Sequence, residues 1–171
     1  MTLAELQKIL PFAHAAATKF VDPLNAAMSE FEINTPIRQA AFIAQIGHES
    51  GQFRYVREIA SGAAYEGRAD LGNTQKGDGV RFKGRGLIQI TGRANYAACG
   101  KALGLDCVNH PELLEQPINA SRSAAWFWKT HSFNELADEN DFALITHRIN
   151  GGTNGEADRL ALFEKAQQVL G

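Results

Sequence analysis

Two glutamates nine residues apart, Glu49 and Glu58, are the residues of this 171-residue chain best placed to do chemistry. Glu49 closes the stretch Ile46-Gly47-His48-Glu49-Ser50-Gly51, where an otherwise apolar helix runs out. Thr35-Pro36 reads as an N-cap followed by proline at the first helical position. The following residues, Ile37 to Ile46, are apolar on almost every side, as in a helix buried in a core. At helical spacing Glu49 stacks above Phe42 and Ile46, so its carboxyl leaves from the core side. Partial desolvation and the negative end of the helix dipole both favour its neutral form. A carboxylic acid kept protonated near neutral pH is a candidate general acid.

Gly51 is expected to end the helix. On one continuous helix Glu49 and Glu58 would lie on opposite sides; a break frees the chain to carry Glu58 across a cleft. Two carboxylates flanking a gap are what glycoside hydrolysis requires, one protonating the leaving oxygen while the other activates water or attacks. Glu66 and Asp70, in the same downstream segment, compete for the second role, and spacing alone does not choose among the three. Gln89, Thr91 and Asn95 form a polar set at a strand-to-helix junction. Gln89 and Asn95 can both donate and accept, as recognition of a sugar acetamido or hydroxyl group demands. Thr91 reads equally as a helix cap or a water holder. Asn150-Gly151-Gly152 reads first as a helix-ending turn. Trp126 and Trp128, two residues apart on a helix, face different directions, so at least one belongs to the core.

Other chemistries are disfavoured. Position 52, four residues after His48, is Gln, so no zinc-binding His pair forms. The remaining histidines lack ligand spacing. Ser50 has no nucleophile-elbow glycines, and no phosphate loop or dinucleotide fingerprint is present. Neither a metal nor an organic cofactor is expected. Cys99 and Cys107 make no disulfide framework and read as two thiols.

The elements that must position these residues are mostly helices. Thr2 with Glu5 reads as a capping box, as do Ser132 with Glu135 and Thr153 with Glu156. Asp22-Pro23 is expected to open a helix running to about Phe31. Thr91 is expected to cap Gly92 to Leu103, with Gly104 as the stop. Pro111 lies near a further helix start, and Ala120 to Thr130 holds the tryptophans. The last helix is expected to place Leu160, Phe163 and Leu170 on one side. Between Ser61 and Gly86, seven glycines make a long irregular segment, of the kind that is usually functional in a compact domain. Its end, Leu87 to Thr91, reads as a short extended piece, half of a small hairpin, with Leu87, Gln89 and Thr91 facing one side. The expected fold is mainly α, one helical domain over residues 1–171 with a cleft-forming irregular middle.

Composition supports a globular chain: 44% of residues are hydrophobic and 21% charged, which argues against disorder. A net charge of −2 argues against a nucleic-acid or anionic-membrane surface. Met1 to Leu6 has no basic stretch followed by an apolar run, so synthesis in the cytoplasm is expected. No segment reaches the roughly 18 apolar residues a bilayer span needs.

Three ordered blocks together resemble glycoside hydrolase family 19, and in particular its compact bacterial and bacteriophage endolysin-type members. They are His48-Glu49-Ser50-Gly51, then Phe82-Lys83-Gly84-Arg85-Gly86-Leu87-Ile88-Gln89-Ile90-Thr91-Gly92-Arg93-Ala94-Asn95-Tyr96, then Ile149-Asn150-Gly151-Gly152 with Asp158-Arg159. The resemblance implies a lysozyme-like helical fold and inverting hydrolysis of β-1,4 bonds in an N-acetylhexosamine polymer. It makes Glu49 the general acid, Glu58 the best match for the base, and Thr91 a holder of the attacking water. His48, Gln89, Asn95, Tyr96 and Asn150 are then expected at the sugar cleft, with Arg159 supporting the carboxylates electrostatically. The short, cysteine-poor chain departs from the plant chitinase branch, which points to peptidoglycan before chitin. The resulting expectation is a muramidase-like lytic glycosidase, with a small chitinase or a non-catalytic wall-binding module as alternatives. A monomer that reaches the periplasmic wall through a holin-like lesion completes it.

Overall fold

The computed structural model describes all residues from Met1 to Gly171, and they form nine α-helices with no β-strand. Helix α1, Leu3–Ile9, starts on the expected capping box. The Glu5 amide donates to Thr2 Oγ1 at 3.2 Å, and the Thr2 amide donates to Glu5 Oε2 at 2.7 Å. Helix α2 corrects the sequence reading: it runs over Ala15–Glu30 with Pro23 inside it. Proline removes one helical hydrogen bond, but Phe20, Val21, Leu24, Ala27 and Met28 are buried on both sides of it, and that packing carries the helix through.

Helix α3, Pro36–Glu49, begins as expected with the Arg38 amide donating to Thr35 Oγ1. Every residue from Ala40 to Gly47 is buried. A side chain on Gly47 would come within 2.7 Å of Leu10 Cδ2, so glycine lets the turn after α1 lie directly on α3. The helix ends at Glu49. Then Gly51, Gln52 and Phe53 all adopt left-handed backbone, with φ of 57°, 55° and 69°. Two non-glycine residues in that region cost roughly 1–2 kcal/mol each. The turn is held in return: Phe53 is buried and stacks on Phe20 with ring centres 4.8 Å apart, and Gln52 Oε1 accepts from the Phe12 amide.

The irregular middle contains two short 3-10 turns and a single helical turn, α4, Asp78–Arg81. The expected hairpin reduces to one residue pair: the Arg85 and Ile90 backbones exchange hydrogen bonds, and Gln89 has a φ of 59°, which breaks the extended alternation. Helix α5, Arg93–Leu103, stops at left-handed Gly104 as expected, but Thr91 does not cap it. Its hydroxyl donates to the Gln89 carbonyl, and Asn73 from the irregular segment accepts from the Arg93 amide instead.

Helix α6, Pro117–Thr130, carries Trp128 fully into the core, where Nε1 donates to Asn134, while Trp126 stays half-buried. Helix α7, Phe133–Asp138, starts on left-handed Ser132, whose hydroxyl caps nothing. Helix α8, Phe142–Asn150, is capped by Asp141. Helix α9, Glu156–Leu170, has Gly155 at its cap position and lacks the expected Thr153 box. Its core face is Arg159, Leu162, Phe163 and Ala166; Leu160 is exposed. Helix α3 packs chiefly against α9, and the buried apolar side chains form one continuous cluster.

Candidate active site

Glu49 leaves the end of α3 with its side chain 21% exposed, and Oε1 accepts from Arg159 Nη2 at 2.5 Å. Arg159 itself is 2% exposed. Its Nη1 donates to Gln45 Oε1 at 2.6 Å, and Gln45 Nε2 donates to Thr146 Oγ1 at 2.8 Å. The three helices α3, α8 and α9 thus meet in a buried polar line ending on Glu49. The apolar helix-end setting expected for Glu49 thus also contains a buried guanidinium. Gln45 sits among apolar residues on α3, and nothing in its spacing announced it.

His48 Nδ1 bonds Asp158 Oδ2 at 2.6 Å, and its ring lies against Gly155, where a side chain would come within 2.4 Å of it. Asn150, the last residue of α8, makes no side-chain hydrogen bond and precedes left-handed Gly151. His48, Asp158 and Gly155 form a cluster where α3 ends and α9 begins. No hydrogen bond joins it to the groups around Glu58.

Glu58 lies in the loop after the left-handed turn. Its amide donates to the Gly84 carbonyl at 2.9 Å, and its Oε2 accepts from the Gly84 amide at 3.0 Å and the Tyr65 hydroxyl at 3.1 Å. Oε1 is buried without a partner. Burial, with the bond to the Glu58 carboxylate second, raises the Tyr65 phenol above its ordinary pKa and keeps it a donor. Gly84 is the shared wall: a side chain there would stand 2.8 Å from Glu58 Oε2 and 2.7 Å from Gln89 Oε1. Only glycine lets those two groups approach the same backbone.

From Gln89 the polar set continues, with Thr91 Oγ1 donating to the Gln89 carbonyl and Asn95 Nδ2 to the Thr91 carbonyl at 2.7 Å. Ile88, Gln89, Thr91, Asn95 and Trp126 border a groove of about 270 Å³. A second hollow of about 410 Å³ is bordered by Arg54, Tyr55, Arg57, Glu58, Lys83 and Glu115. Tyr96 is a correction: it is fully buried, and its hydroxyl donates to the Lys83 carbonyl and accepts from Arg85, so it braces the Gly84 loop from below without reaching a groove.

The two competing carboxylates have other work. Glu66 accepts from the Gly77 and Gly79 amides, one on each oxygen, and so ties the irregular segment to itself. Asp70 is exposed and paired with Arg68 at 2.5 Å. Asp78, missed by the sequence reading, is buried and bound by both arms of Arg93, whose guanidinium holds its carboxyl below the usual range. No group of three His, Cys, Asp or Glu side chains is placed to hold a metal ion.

The geometry has counterparts. A family model described as chitinase class I, glycosyl hydrolase family 19, matches residues 34–139. A glycosyl hydrolase family 19 domain-containing protein of Haemophilus influenzae is 33% identical, over 95% of this chain and 94% of its own. An endochitinase of Arabidopsis thaliana is 41% identical over 66% of this chain, which spans only 39% of that longer protein. Among solved structures, a bacterial family 19 chitinase superposes with a TM-score of 0.84 at 25% identity, covering 99% of this chain and 94% of its own. Chitinase C of Streptomyces griseus superposes at 0.77 with 25% identity, covering 99% and 76%. The helices, the grooves and these likenesses agree, and the chain belongs to glycoside hydrolase family 19.

Proposed function

We propose that the protein cleaves β-1,4 bonds of peptidoglycan glycan strands with inversion, using Glu49 as acid and Glu58 as base. The observation that carries this reading is the contrast at Glu58: Oε2 is fixed by Tyr65 and the Gly84 amide, while the buried Oε1 lacks a donor. With Oε2 anchored in this way, Oε1 is the carboxylate atom left to take a proton. Glu49 gives its proton to the glycosidic oxygen. Water attacks the anomeric carbon from the opposite face and yields its proton to Glu58. The carboxylate left on Glu49 is then stabilised by Arg159. An inverting pair works at roughly 6.5–9.5 Å, room enough for that water. Gln89 and Asn95, beside Trp126, supply amide and aromatic surfaces suited to an N-acetylated sugar.

Glu49→Gln tests the acid: lysis of outer-membrane-stripped cells should cease while the far-ultraviolet circular dichroism spectrum stays unchanged. Near-wild-type turnover would remove Glu49 from the mechanism. Chitin is the second reading, favoured by the solved neighbours being chitinases. Mass spectrometry of digests of purified peptidoglycan and of chitin oligomers separates the two and shows which sugar carries the new reducing end. Release from the cytoplasm through a holin-like lesion belongs to the same proposal, and lysis by the expressed protein only when a holin is co-expressed would support it.

A further inference from the structure

The hollow beside Glu58 has a charge that hydrolysis of a neutral polymer does not require. Arg38, Arg68, Arg93 and Arg122 each hold an acid within 2.7 Å. Arg54 and Arg57 do not. Arg54 lies over the Tyr55 ring with no acidic partner, and Arg57 is 58% exposed, reaching Glu115 only at 3.9 Å. Glu115 is already bound by the nearly buried Arg85 at 2.9 Å. Lys83, on the same wall, has only a long 3.4 Å bond to the Ala60 carbonyl. Two arginines and a lysine therefore face the hollow with Glu58 as the one acid not otherwise neutralised.

We propose that Arg54, Arg57 and Lys83 form a subsite for carboxylates carried on the C3 substituent of a muramoyl residue. The inference rests on the peptidoglycan reading above and gives it a chemical basis. Chitin bears no charge, whereas a muramoyl strand presents carboxylates on its lactyl group or on the stem peptide attached there. Guanidinium pairs match carboxylates with two parallel bonds, which favours Arg over a general cationic surface. Placed beside the base, the subsite would register the branched sugar against the cleavage point, and its benefit should weaken with salt.

The test compares one polymer in two charge states: purified sacculi, and the same sacculi with carboxylates amidated by carbodiimide and methylamine. Amidation should lower kcat/KM of the wild type about five- to tenfold, as expected for losing two partly exposed ion pairs. It should barely change the Arg54→Gln/Arg57→Gln variant, while Arg54→Lys/Arg57→Lys keeps most of the wild-type sensitivity. Equal sensitivity of wild type and the Gln variant would overturn the subsite and leave the peptidoglycan reading standing. No fragments from either form, with chitin oligomers cleaved, would overturn both. An amidase that strips the stem peptides frees a lactyl carboxylate that intact sacculi hold as an amide. Arg dependence on those strands shows that the subsite also takes the lactyl carboxylate, and its loss assigns the stem peptide.

Discussion

Glu49 and Glu58 are held by opposite means. Glu49 stands on a buried helix and is fixed through side chains: Arg159, then Gln45, then Thr146, each from a different helix or face. Glu58 stands on a loop and is fixed mainly through backbone, by two hydrogen bonds with Gly84 and one from Tyr65. The first arrangement ties the proposed acid to the stability of the core. The second ties it to the shape of a glycine-rich loop, which can be disturbed without unfolding the protein.

Removing the carboxyls should have the largest effect. Glu49→Gln and Glu58→Gln should each lower turnover by about 10²–10⁴, measured on soluble glycan fragments. Gly84→Ala separates the two regions most sharply. Its new methyl would collide with the ends of Glu58 and Gln89, which can swing away, so the fold should survive while turnover drops by about 10²-fold. An unchanged rate would mean that the loop does not set the position of Glu58. The reverse is expected on the helix side. Arg159→Met strands Gln45 and Glu49 in a nearly closed space and should cost about 3 kcal/mol in urea unfolding. A stability loss near zero would show that the polar line is not part of the core.

Acid should act first on the loop side. Arg93 holds the Asp78 carboxyl below its unfolded-state value, so that stabilisation is complete above the unfolded pKa of about 4 and is lost as pH falls through the lower folded value. Amide exchange below pH 4 should therefore rise in residues 73–93 before α3, and Asp78→Asn should remove the pH dependence of that difference. Simultaneous opening of both regions would contradict it.

What could be read from sequence follows the same division. Thr35-Pro36 and the apolar run after it gave helix α3 to within a residue, because a local cap and a buried face specify a helix on their own. The boundaries that failed depend on distant partners. Pro23 stays helical because core packing on both sides outweighs one lost hydrogen bond. Thr91 loses the capping role to Asn73, eighteen residues upstream. Ser132 and Thr153 match the capping-box pattern, yet left-handed backbone at Ser132 and at Gly155 takes their hydroxyls out of reach. Glu58 could not be told from Glu66 by spacing, since only the folded loop shows Glu66 spending both oxygens on backbone amides. Gln45 and Tyr65 were invisible because a polar residue in an apolar helix, or an aromatic in a loop, acquires its meaning only from a partner far along the chain.

The paired-carboxylate chemistry is tested most directly by proton NMR of the anomeric signals during the first minutes of hydrolysis of a soluble β-1,4 oligosaccharide. Water delivered by Glu58 from the face opposite Glu49 must give the α-anomer first at the new reducing end, with the β form appearing only by mutarotation. Initial release of the β-anomer would contradict the assignment of Glu58 as a base acting on water.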